Sequence, residues 1–295
     1  MQPKQLDRSR IRSLRTEAEH ALAHGPQPER ARLDAEQLLL HILSRRDPER
    51  NRAWLLAHAN DPTSRDARAE FDVLLRRRLT GEPIQYITGK AEFYGLPFRV
   101  TQDVLIPRPE TEHLLEKVLE LAAIYAEPRI VDVGTGSGAI AVALAHKLPS
   151  ATVTAIDLSS SALAIAQENA ERNGVAHHIR FLEGDLLAPA TEERFEIIVS
   201  NPPYVPASDR ASLAVEVRNH EPTLALFAGE DGLEVFRRLI PAAFAALTPG
   251  VYLALEIGYG QDEAIRALLA DAKFEQIEFV PDLQGIARVA CGQRQ

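Results

Sequence analysis

Residues 130–139 read Ile-Val-Asp-Val-Gly-Thr-Gly-Ser-Gly-Ala, and this stretch decides the fold. The apolar run at 130–133 is typical of a buried strand. Three glycines then alternate with small residues, which permits a tight turn and lets a ligand approach the backbone. Residues 139–147 follow as a helix. The stretch therefore predicts a strand, a glycine turn and a helix, the repeating unit of open α/β sheets.

The alternation of strands and helices continues to the end of the sequence. Helical spacing predicts helices at 161–173, 233–247 and 261–272, and apolar runs predict strands at 153–156, 179–182, 195–200 and 251–257. Strands joined by helices form right-handed crossovers in a mostly parallel sheet. No helix separates the last two runs, 277–280 and 287–291, so we expect an antiparallel hairpin there. We predict a Rossmann-like α/β domain of seven strands over residues 110–295.

The first 80 residues have helical spacing throughout. Apolar side chains recur every three or four positions from Leu6 to Leu22, within 29–46 and from Phe71 to Leu79. We predict a small helical bundle over residues 1–80. Strand-like stretches at 85–87, 93–95 and 98–100 are broken by glycine and proline, which predicts a β-hairpin linker over 81–109.

Composition limits the class of protein. The chain has 295 residues, of which 45% are apolar and 25% charged, as is typical of globular domains. No apolar run reaches the roughly 18 residues that a membrane span needs, and the N-terminus lacks the apolar stretch of a signal peptide. The single cysteine, Cys291, excludes an intramolecular disulfide, and the nine histidines lack metal-ligand spacing. We expect a cytoplasmic protein without a metal site or a membrane contact.

The charge is distributed unevenly. Residues 1–90 contain 17 Lys and Arg against 13 Asp and Glu, whereas the rest contain 16 against 29. Nucleic-acid binding depends mainly on contacts between basic side chains and phosphates. The acidity of the larger part therefore weighs against a nucleic-acid substrate, although a local basic groove could still exist.

The glycine turn predicts a nucleoside cofactor. Gly134, Gly136 and Ala139 also fit a relaxed dinucleotide fingerprint, with Asp157 at the end of the next strand to hold ribose hydroxyls. Two features favour S-adenosylmethionine over a nicotinamide: Asp132, two positions before the first glycine, and the spacing G-x-G-x-G. An acidic wall suits the cationic sulfonium and ammonium groups of that cofactor.

A second motif follows the predicted strand 195–200 and reads Asn201-Pro202-Pro203-Tyr204. Two prolines end the strand in a rigid loop at the sheet edge where ligands bind. The Asn201 side-chain carbonyl and the Pro202 backbone carbonyl can both accept hydrogen bonds from one planar NH2 group. The Tyr204 ring could stack on the same group. The motif predicts methylation of an amide or an exocyclic amine, whose delocalised lone pair makes it a poor nucleophile until it is held.

Nearly the whole sequence resembles the peptide-chain release factor glutamine methyltransferases, the HemK/PrmC family. The resemblance includes Gly-Glu-Pro-Ile-Gln-Tyr-Ile-Thr-Gly at 81–89, Phe-Tyr-Gly at 93–95, Ile-Pro-Arg-Pro-Glu-Thr-Glu at 106–112 and Gly-Glu-Asp-Gly-Leu at 229–233. It implies a class I methyltransferase fold and transfer of a methyl group to the side-chain nitrogen, N5, of the glutamine in the Gly-Gly-Gln loop of bacterial class 1 release factors.

The resemblance also implies site residues. Asp132, Gly134, Thr135, Gly136, Ser137 and Gly138 would surround the cofactor, Asp157 would bind its ribose, and Asp185 and Leu186 would lie beside the adenine. Asn201 would contact both the methionine end and the substrate amide, with Pro202, Pro203 and Tyr204 completing the catalytic and substrate-binding set. Alternatives are a DNA or RNA amino-group methyltransferase, since Asn-Pro-Pro-Tyr is shared with those enzymes, and a catalytically idle module whose helical part binds a translation factor.

Overall fold

The computed structural model describes residues 10–45 and 47–295. Contacts divide the chain into two units, one of residues 10–89 together with Ala214–His220, and one of Lys90–Leu213 together with Glu221–Gln295. The β-hairpin predicted at 81–109 therefore groups with the second unit from Lys90 onward. No helix among the described residues is long and apolar enough to cross a membrane.

The first unit is helical. Its helices are α1 (Ile11–Leu22), α2 (Ala31–Ser44), α3 (Arg52–Ala57), α4 (Arg65–Leu79), α5 (Ile84–Thr88) and α9 (Val215–His220). Leu14, Leu38 and Phe71 are fully buried in its core. The predicted helical character of the N-terminal region is confirmed over the described residues; Leu6 and Arg46, which belonged to that prediction, lie outside them. The strand-like reading of 85–87 is wrong, because this segment forms α5.

A buried ion-pair cluster lies in the first unit. Arg78, near the end of α4, is 2% exposed and donates to Asp34 of α2 at 2.6 Å and to the Glu82 carbonyl at 2.9 Å. It also pairs with Glu216 of α9. Of the three consecutive arginines near the end of α4, Arg76 is therefore exposed to solvent, whereas Arg78 is buried.

The second unit opens with a two-stranded hairpin and continues as a seven-stranded sheet. The hairpin pairs β1 (Lys90–Phe93) with β2 (Leu96–Arg99) antiparallel. Tyr94 and Gly95 both have positive φ, 52° and 75°, as a two-residue type I′ turn requires. The sheet contains β3 (Arg129–Val133), β4 (Thr152–Asp157), β5 (Ile179–Glu183), β6 (Phe195–Ser200), β7 (Leu247–Glu256), β8 (Phe274–Pro281) and β9 (Ala287–Arg294).

The strand order in the sheet is β5-β4-β3-β6-β7-β9-β8. The first five strands in this order are parallel to one another, and β9 is antiparallel to both of its neighbours, β7 and β8. This confirms the predicted seven-stranded Rossmann-like sheet with its terminal antiparallel hairpin. Side chains alternate between two cores, so that Ile130 and Ile197 face one layer while Val131 and Ile198 face the other. The helices of the two layers are α6 (Thr111–Ala122), α7 (Ala139–Lys147) and α8 (Ser160–Arg172) on one side, and α10 (Glu234–Ala246) and α11 (Asp262–Asp271) on the other.

Candidate active site

A cavity lies at the carboxyl edge of the sheet, where the strand order reverses between β3 and β6. Open α/β sheets bind ligands at such a switch point because the loops on either side diverge there. The structure brings ten of the predicted site residues to this cavity: Gly134, Thr135, Gly136, Ser137, Asp157, Asp185, Leu186, Asn201, Pro202 and Pro203. Further apolar parts of the lining come from Val104, Leu105, Pro107, Pro222, Leu224 and Ala225.

The glycine turn is held to the neighbouring strand by its backbone. The N–H groups of Gly134 and Thr135 both donate to the Ile156 carbonyl, at 2.8 and 2.9 Å. Gly134 and Gly136 have φ values of 74° and 56°, in the left-handed region that glycine adopts without strain. The turn is therefore preformed, and its backbone is exposed to the cavity.

Asp157, at the end of β4, joins the glycine turn to helix α8. Its Oδ2 accepts from the Gly136 N–H at 2.8 Å, and its Oδ1 accepts from the Ser159 N–H at 2.9 Å. Burial raises the pKa of Asp157, while these backbone donors lower it. Because each carboxylate oxygen has two acceptor sites, both can still accept from a ligand hydroxyl.

Asp132, also predicted to contact the cofactor, does not line the cavity. Its side chain is fully buried beneath the turn, where Oδ2 accepts from the Thr135 hydroxyl at 2.7 Å and the Ala141 N–H at 3.2 Å. Burial raises the pKa of Asp132 to about 7, against the effect of those two donors, and the Asp157 charge raises it further. The residue fastens the turn to the start of α7.

Gly138 is also absent from the lining, for a packing reason. It has φ of 79°, and a Cβ at this position would lie 3.0 Å from the Cβ of Ala166 on α8. The glycine therefore permits close packing between the start of α7 and α8.

Asn201 is the first residue after β6 and lines the cavity. The preceding Ser200 hydroxyl donates to the Val133 carbonyl at 2.6 Å, which ties the end of β6 to β3. The Asn201 side-chain NH2 donates to the Thr111 hydroxyl at 3.0 Å. Among the described residues no donor meets its side-chain carbonyl oxygen, so this atom can accept from a ligand.

Tyr204 lies outside the cavity lining, so the structure gives no support to a stacking role for its ring. Its hydroxyl donates to Glu256 Oε1 at 3.3 Å, and burial raises its pKa. The Tyr204 carbonyl accepts from Gln261 Nε2 at 3.1 Å. The Tyr204 ring packs against the hydrophobic core on one side of the sheet and so anchors the loop that follows β6.

The segment 106–112 binds three parts of the site together, a role that its sequence alone did not reveal. Arg108 lines the cavity and pairs with the buried Glu221 at 2.6 Å. Thr111 receives the amide of Asn201, and Glu112 accepts from the Tyr94 N–H at 2.9 Å. These contacts join residues that are far apart in the sequence. No local pattern predicts them, and only the resemblance of the 106–112 motif to the family marked the segment.

Asn169 of α8 also supports the site, although it was not among the predicted site residues. It is fully buried and exchanges two hydrogen bonds with the Arg99 backbone, at 2.6 and 2.9 Å. Its NH2 group also donates to the Ser137 carbonyl at 2.9 Å. Asn169 thereby joins the hairpin to the glycine turn, and its position in an otherwise ordinary amphipathic helix gave no signal.

The polar groups that line the cavity fit S-adenosylmethionine. Asp157 presents acceptor sites suited to a ribose diol, and Asp185 is a second carboxylate in the lining, paired with Arg238. The Oδ1 atom of Asp132 is buried without a partner among the described residues, which puts an uncompensated acidic group beneath the turn. A nearby cation favours the ionised form of such a group.

Comparisons with known proteins agree with this geometry. A family model described as the PrmC N-terminal domain matches residues 13–89, and one described as the methyltransferase small domain matches residues 110–219. A methyltransferase from Pyrococcus furiosus, 19% identical, superposes with a TM-score of 0.51 over 68% of this chain and 90% of that one. A 16S rRNA methyltransferase of T. thermophilus, 21% identical, gives 0.52 over 70% and 50%. These two show a class I methyltransferase fold.

Curated relatives match along nearly the whole length. The chain is 42% identical to the release factor glutamine methyltransferase of Koribacter versatilis, over 92% of this chain and 93% of that protein. It is 45% identical to the Bordetella pertussis protein of the same name, over 88% and 94%. The chain therefore belongs to the release factor glutamine methyltransferase family.

Proposed function

We propose that this protein transfers a methyl group from S-adenosylmethionine to the side-chain nitrogen, N5, of the glutamine in the Gly-Gly-Gln loop of class 1 release factors. One observation carries the proposal. Asn201 presents a free carbonyl oxygen to the same cavity that the glycine turn and Asp157 line. A translation factor as substrate implies that the enzyme works in the cytoplasm.

The cofactor is held, in this proposal, by groups from three loops. Asp157 would accept from the ribose hydroxyls, the backbone of 134–137 would surround the methionine part, and Asp185 and Leu186 would lie beside the adenine, since all of these residues line the cavity. When bound, S-adenosylmethionine would supply a methyl group: the bond from the methyl carbon to the cationic sulfur breaks as the bond to the amide nitrogen forms, the sulfur is left as a neutral thioether, and the methylated amide, now strongly acidic, loses one proton to water.

The substrate amide is held by Asn201 and Pro202. The Asn201 side-chain carbonyl and the Pro202 backbone carbonyl each accept one hydrogen of the glutamine NH2 group. The ring of Pro202 fixes its φ, and Pro203 restricts the ψ of Pro202, so the backbone carbonyl of Pro202 is held in a narrow range of directions. Alignment of a weak nucleophile by such a pair can lower the barrier by up to about 7 to 11 kcal/mol.

The first unit is proposed to hold the body of the release factor. Most of its arginines already have acidic partners, for example Arg68 with Glu17 and Arg45 with Glu70. Because these arginines are already paired within the protein, they contribute little to the affinity for a release factor. Exposed apolar side chains offer a better one: Leu33, Leu56 and Val73 are each more than 40% exposed.

A nucleic-acid amino methyltransferase is the weaker alternative. Such enzymes need a module that recognises or flips the target base. Between Tyr204 and β7, the described residues form short 3-10 turns and the helices α9 and α10, without an inserted domain. The curated relatives are also named for a protein substrate, the release factor.

Two measurements test the proposal. Calorimetry with S-adenosylmethionine should show binding, which an idle binding module would not require. Mass spectrometry of each purified class 1 release factor, after incubation with the protein and the cofactor, should show one added methyl group on the Gly-Gly-Gln peptide. Cofactor binding with methylation of RNA, and none of the release factors, would support the alternative.

A further inference from the structure

More acidic than basic side chains line the cavity. Asp103, Asp157 and Asp185 are the acidic ones, whereas Arg108 and Arg238 are the basic ones. S-adenosylmethionine carries one negative charge, on the carboxylate of its methionine part. Transfer of a carboxylate from water into such a lining is costly unless a cation or several hydrogen-bond donors receive it. The carboxylate therefore needs a specific partner within the cavity.

The glycine turn has few donors left for that carboxylate. The backbone N–H groups at positions 134, 135, 136 and 138 each donate within the protein, at 2.8 or 2.9 Å. A group that is already bonded in this way gains little from a second acceptor. The partner of the carboxylate must therefore come mainly from a side chain.

The order of the strands shows where the methionine part would lie. Asp185, Asp157, the glycine turn and Asn201 follow the neighbouring strands β5, β4, β3 and β6, in that order along the sheet edge. With the adenine beside Asp185 and the ribose at Asp157, as proposed, the methionine part extends toward Asn201. Arg238 pairs with Asp185 and so lies at the adenine end.

Arg108 lies at the Asn201 end of the cavity. Its backbone carbonyl accepts from the Thr111 N–H at 3.1 Å, and the Thr111 hydroxyl accepts from the Asn201 side chain at 3.0 Å. The Nη2 atom of Arg108 donates to both carboxylate oxygens of Glu221, at 2.6 and 2.7 Å. Its N–H groups on Nε and Nη1 meet no acceptor among the described residues, so they can donate to a ligand.

Glu221 restricts the position of this guanidinium. The Glu221 side chain is 1% exposed, whereas that of Arg108 is 33% exposed and lines the cavity. Two charge-assisted hydrogen bonds from one nitrogen leave the guanidinium little freedom to rotate. Less conformational entropy is therefore lost when a ligand binds to the remaining N–H groups.

We propose that Arg108 binds the carboxylate of the methionine part of S-adenosylmethionine, with Glu221 as a positioning residue that holds the guanidinium at the cavity. The inference rests on the part of the proposed function that puts this cofactor in the cavity, and it does not depend on the identity of the methyl acceptor. A Gly-Gly-Gln sequence carries no charged side chain, so the carboxylate is the anionic group that Arg108 would receive.

Calorimetry with two cofactors tests the assignment. Decarboxylated S-adenosylmethionine has a hydrogen in place of the carboxylate and keeps the ammonium and sulfonium groups. Arg108→Met combined with Glu221→Gln removes the guanidinium without leaving a buried charge unpaired, and Glu221→Gln alone retains the guanidinium. We expect the double variant to bind S-adenosylmethionine about tenfold or more weakly than Glu221→Gln does, the loss typical of hydrogen bonds to a charged group. The Kd of the decarboxylated cofactor should be the same for both variants.

Binding of the decarboxylated cofactor also shows that the double variant is folded. If the double variant binds neither cofactor, Arg108→Lys replaces it and is compared with the wild type. Lysine keeps the positive charge and loses the planar set of N–H groups, so the same selective loss of affinity for S-adenosylmethionine is expected.

Arg237→Met is a control for the loss of one positive charge. Arg237 of α10 is exposed, pairs with Asp231 and does not line the cavity. We expect the Kd of both cofactors to equal that of the wild type. This result would show that the effect of Arg108 comes from its place in the cavity and not from the net charge of the protein.

The outcomes separate the assignment from the proposed function. Equal changes in Kd for both cofactors, or a change for neither, would overturn the role of Arg108. Unchanged cofactor Kd values with a raised KM for the release factor would mean that Arg108 holds the protein substrate instead. A wild-type protein that binds S-adenosylmethionine more tightly than the decarboxylated form, and yet leaves release factors unmodified, would overturn the proposed function and support the assignment of Arg108.

Discussion

The side-chain oxygen of Asn201 has no donor among the described residues, and its removal should stop the reaction. Asn201→Ala deletes the acceptor but little buried volume, so the fold and the cofactor contacts of Asp157 should persist. We expect kcat to fall by about 100-fold or more, the usual loss when one preorganised polar group of an active site is removed. Steady-state kinetics with calorimetry of the cofactor checks this. Near-wild-type turnover would mean that the amide is held elsewhere.

Asp132 makes stability depend on pH. Burial raises its pKa to about 7 in the folded protein, above the ordinary value of 3.8 that applies when the chain is unfolded. The folded state therefore binds the proton more tightly, and this contribution to stability is full below the unfolded pKa and is lost as the pH rises through about 7.

Comparison with Asp132→Asn isolates that contribution, because the buried Glu256 titrates in both proteins. We expect the free energy of unfolding of the wild type, relative to the variant, to fall by roughly 2 to 3 kcal/mol between about pH 5 and about pH 8. Urea unfolding at the two pH values measures the difference. A relative stability that rises with pH would show that Asp132 is ionised in the folded state throughout.

The sequence predicted Asn201 and Asp157 in the cavity because each stands at the carboxyl end of a predicted strand. Asp132 and Tyr204, which the sequence also predicted as site residues, do not line the cavity, for a different reason. Residues two apart in a strand share a face, so Asp132 points with Ile130 under α7 and not toward the edge. The direction of Tyr204 depends on Glu256 and Gln261, more than 50 positions away along the chain.

At the scale of elements, the packing of α7 on α8 depends on Gly138. Gly138→Ala forces a Cβ to within 3.0 Å of Ala166 and also places alanine at φ of 79°. Gly174, with φ of 73° and open space around its Cβ position, is a matched control for the backbone effect alone. We expect Gly174→Ala to cost about 1 kcal/mol of stability and Gly138→Ala about 1 to 3 kcal/mol more. Equal losses of unfolding free energy in the two variants, measured with urea, would show that α7 and α8 adjust to the added Cβ without cost.

Element boundaries were predictable where the apolar period was long and clear. The strand at 195–200 and the helix at 139–147 have the predicted bounds. The stretch 85–87 was predicted as strand-like because so short a segment, containing Tyr86 and Ile87, fits a strand as well as a helix. Burial of Ile84 and Ile87, three positions apart, selects the helix. Helix α3, only six residues long, gave too little periodicity to predict, although Asn51 caps it by accepting from the Trp54 N–H at 3.0 Å.

At the scale of the whole molecule, recognition should depend on more than the Gly-Gly-Gln loop. A flexible peptide presents few contacts, whereas an intact release factor can also bind through the proposed docking surface. We expect kcat/KM for the intact factor to exceed that for a short Gly-Gly-Gln peptide by at least about 100-fold. Comparable values for the two substrates would remove the docking role of the first unit.

The sequence predicted a helical part and an α/β part but not how the chain is shared between them. Ala214–His220 groups with the helical unit although it lies between β6 and β7 in the sequence. Arg78 pairs with Glu216, and a Cβ on Gly81 would lie 2.9 Å from Val215. Such contacts join positions more than 130 residues apart, and no local pattern signals them.

The most direct test is to observe the new bond. Release factor labelled with nitrogen-15 in its glutamine side chains is incubated with the enzyme and with S-adenosylmethionine that carries a carbon-13 methyl group. We predict one carbon–nitrogen coupling in the NMR spectrum, assigned to the Gly-Gly-Gln glutamine, and none when Asn201→Ala replaces the wild type. A methyl signal without coupling to a glutamine nitrogen, or no methyl signal on the release factor, would contradict the account.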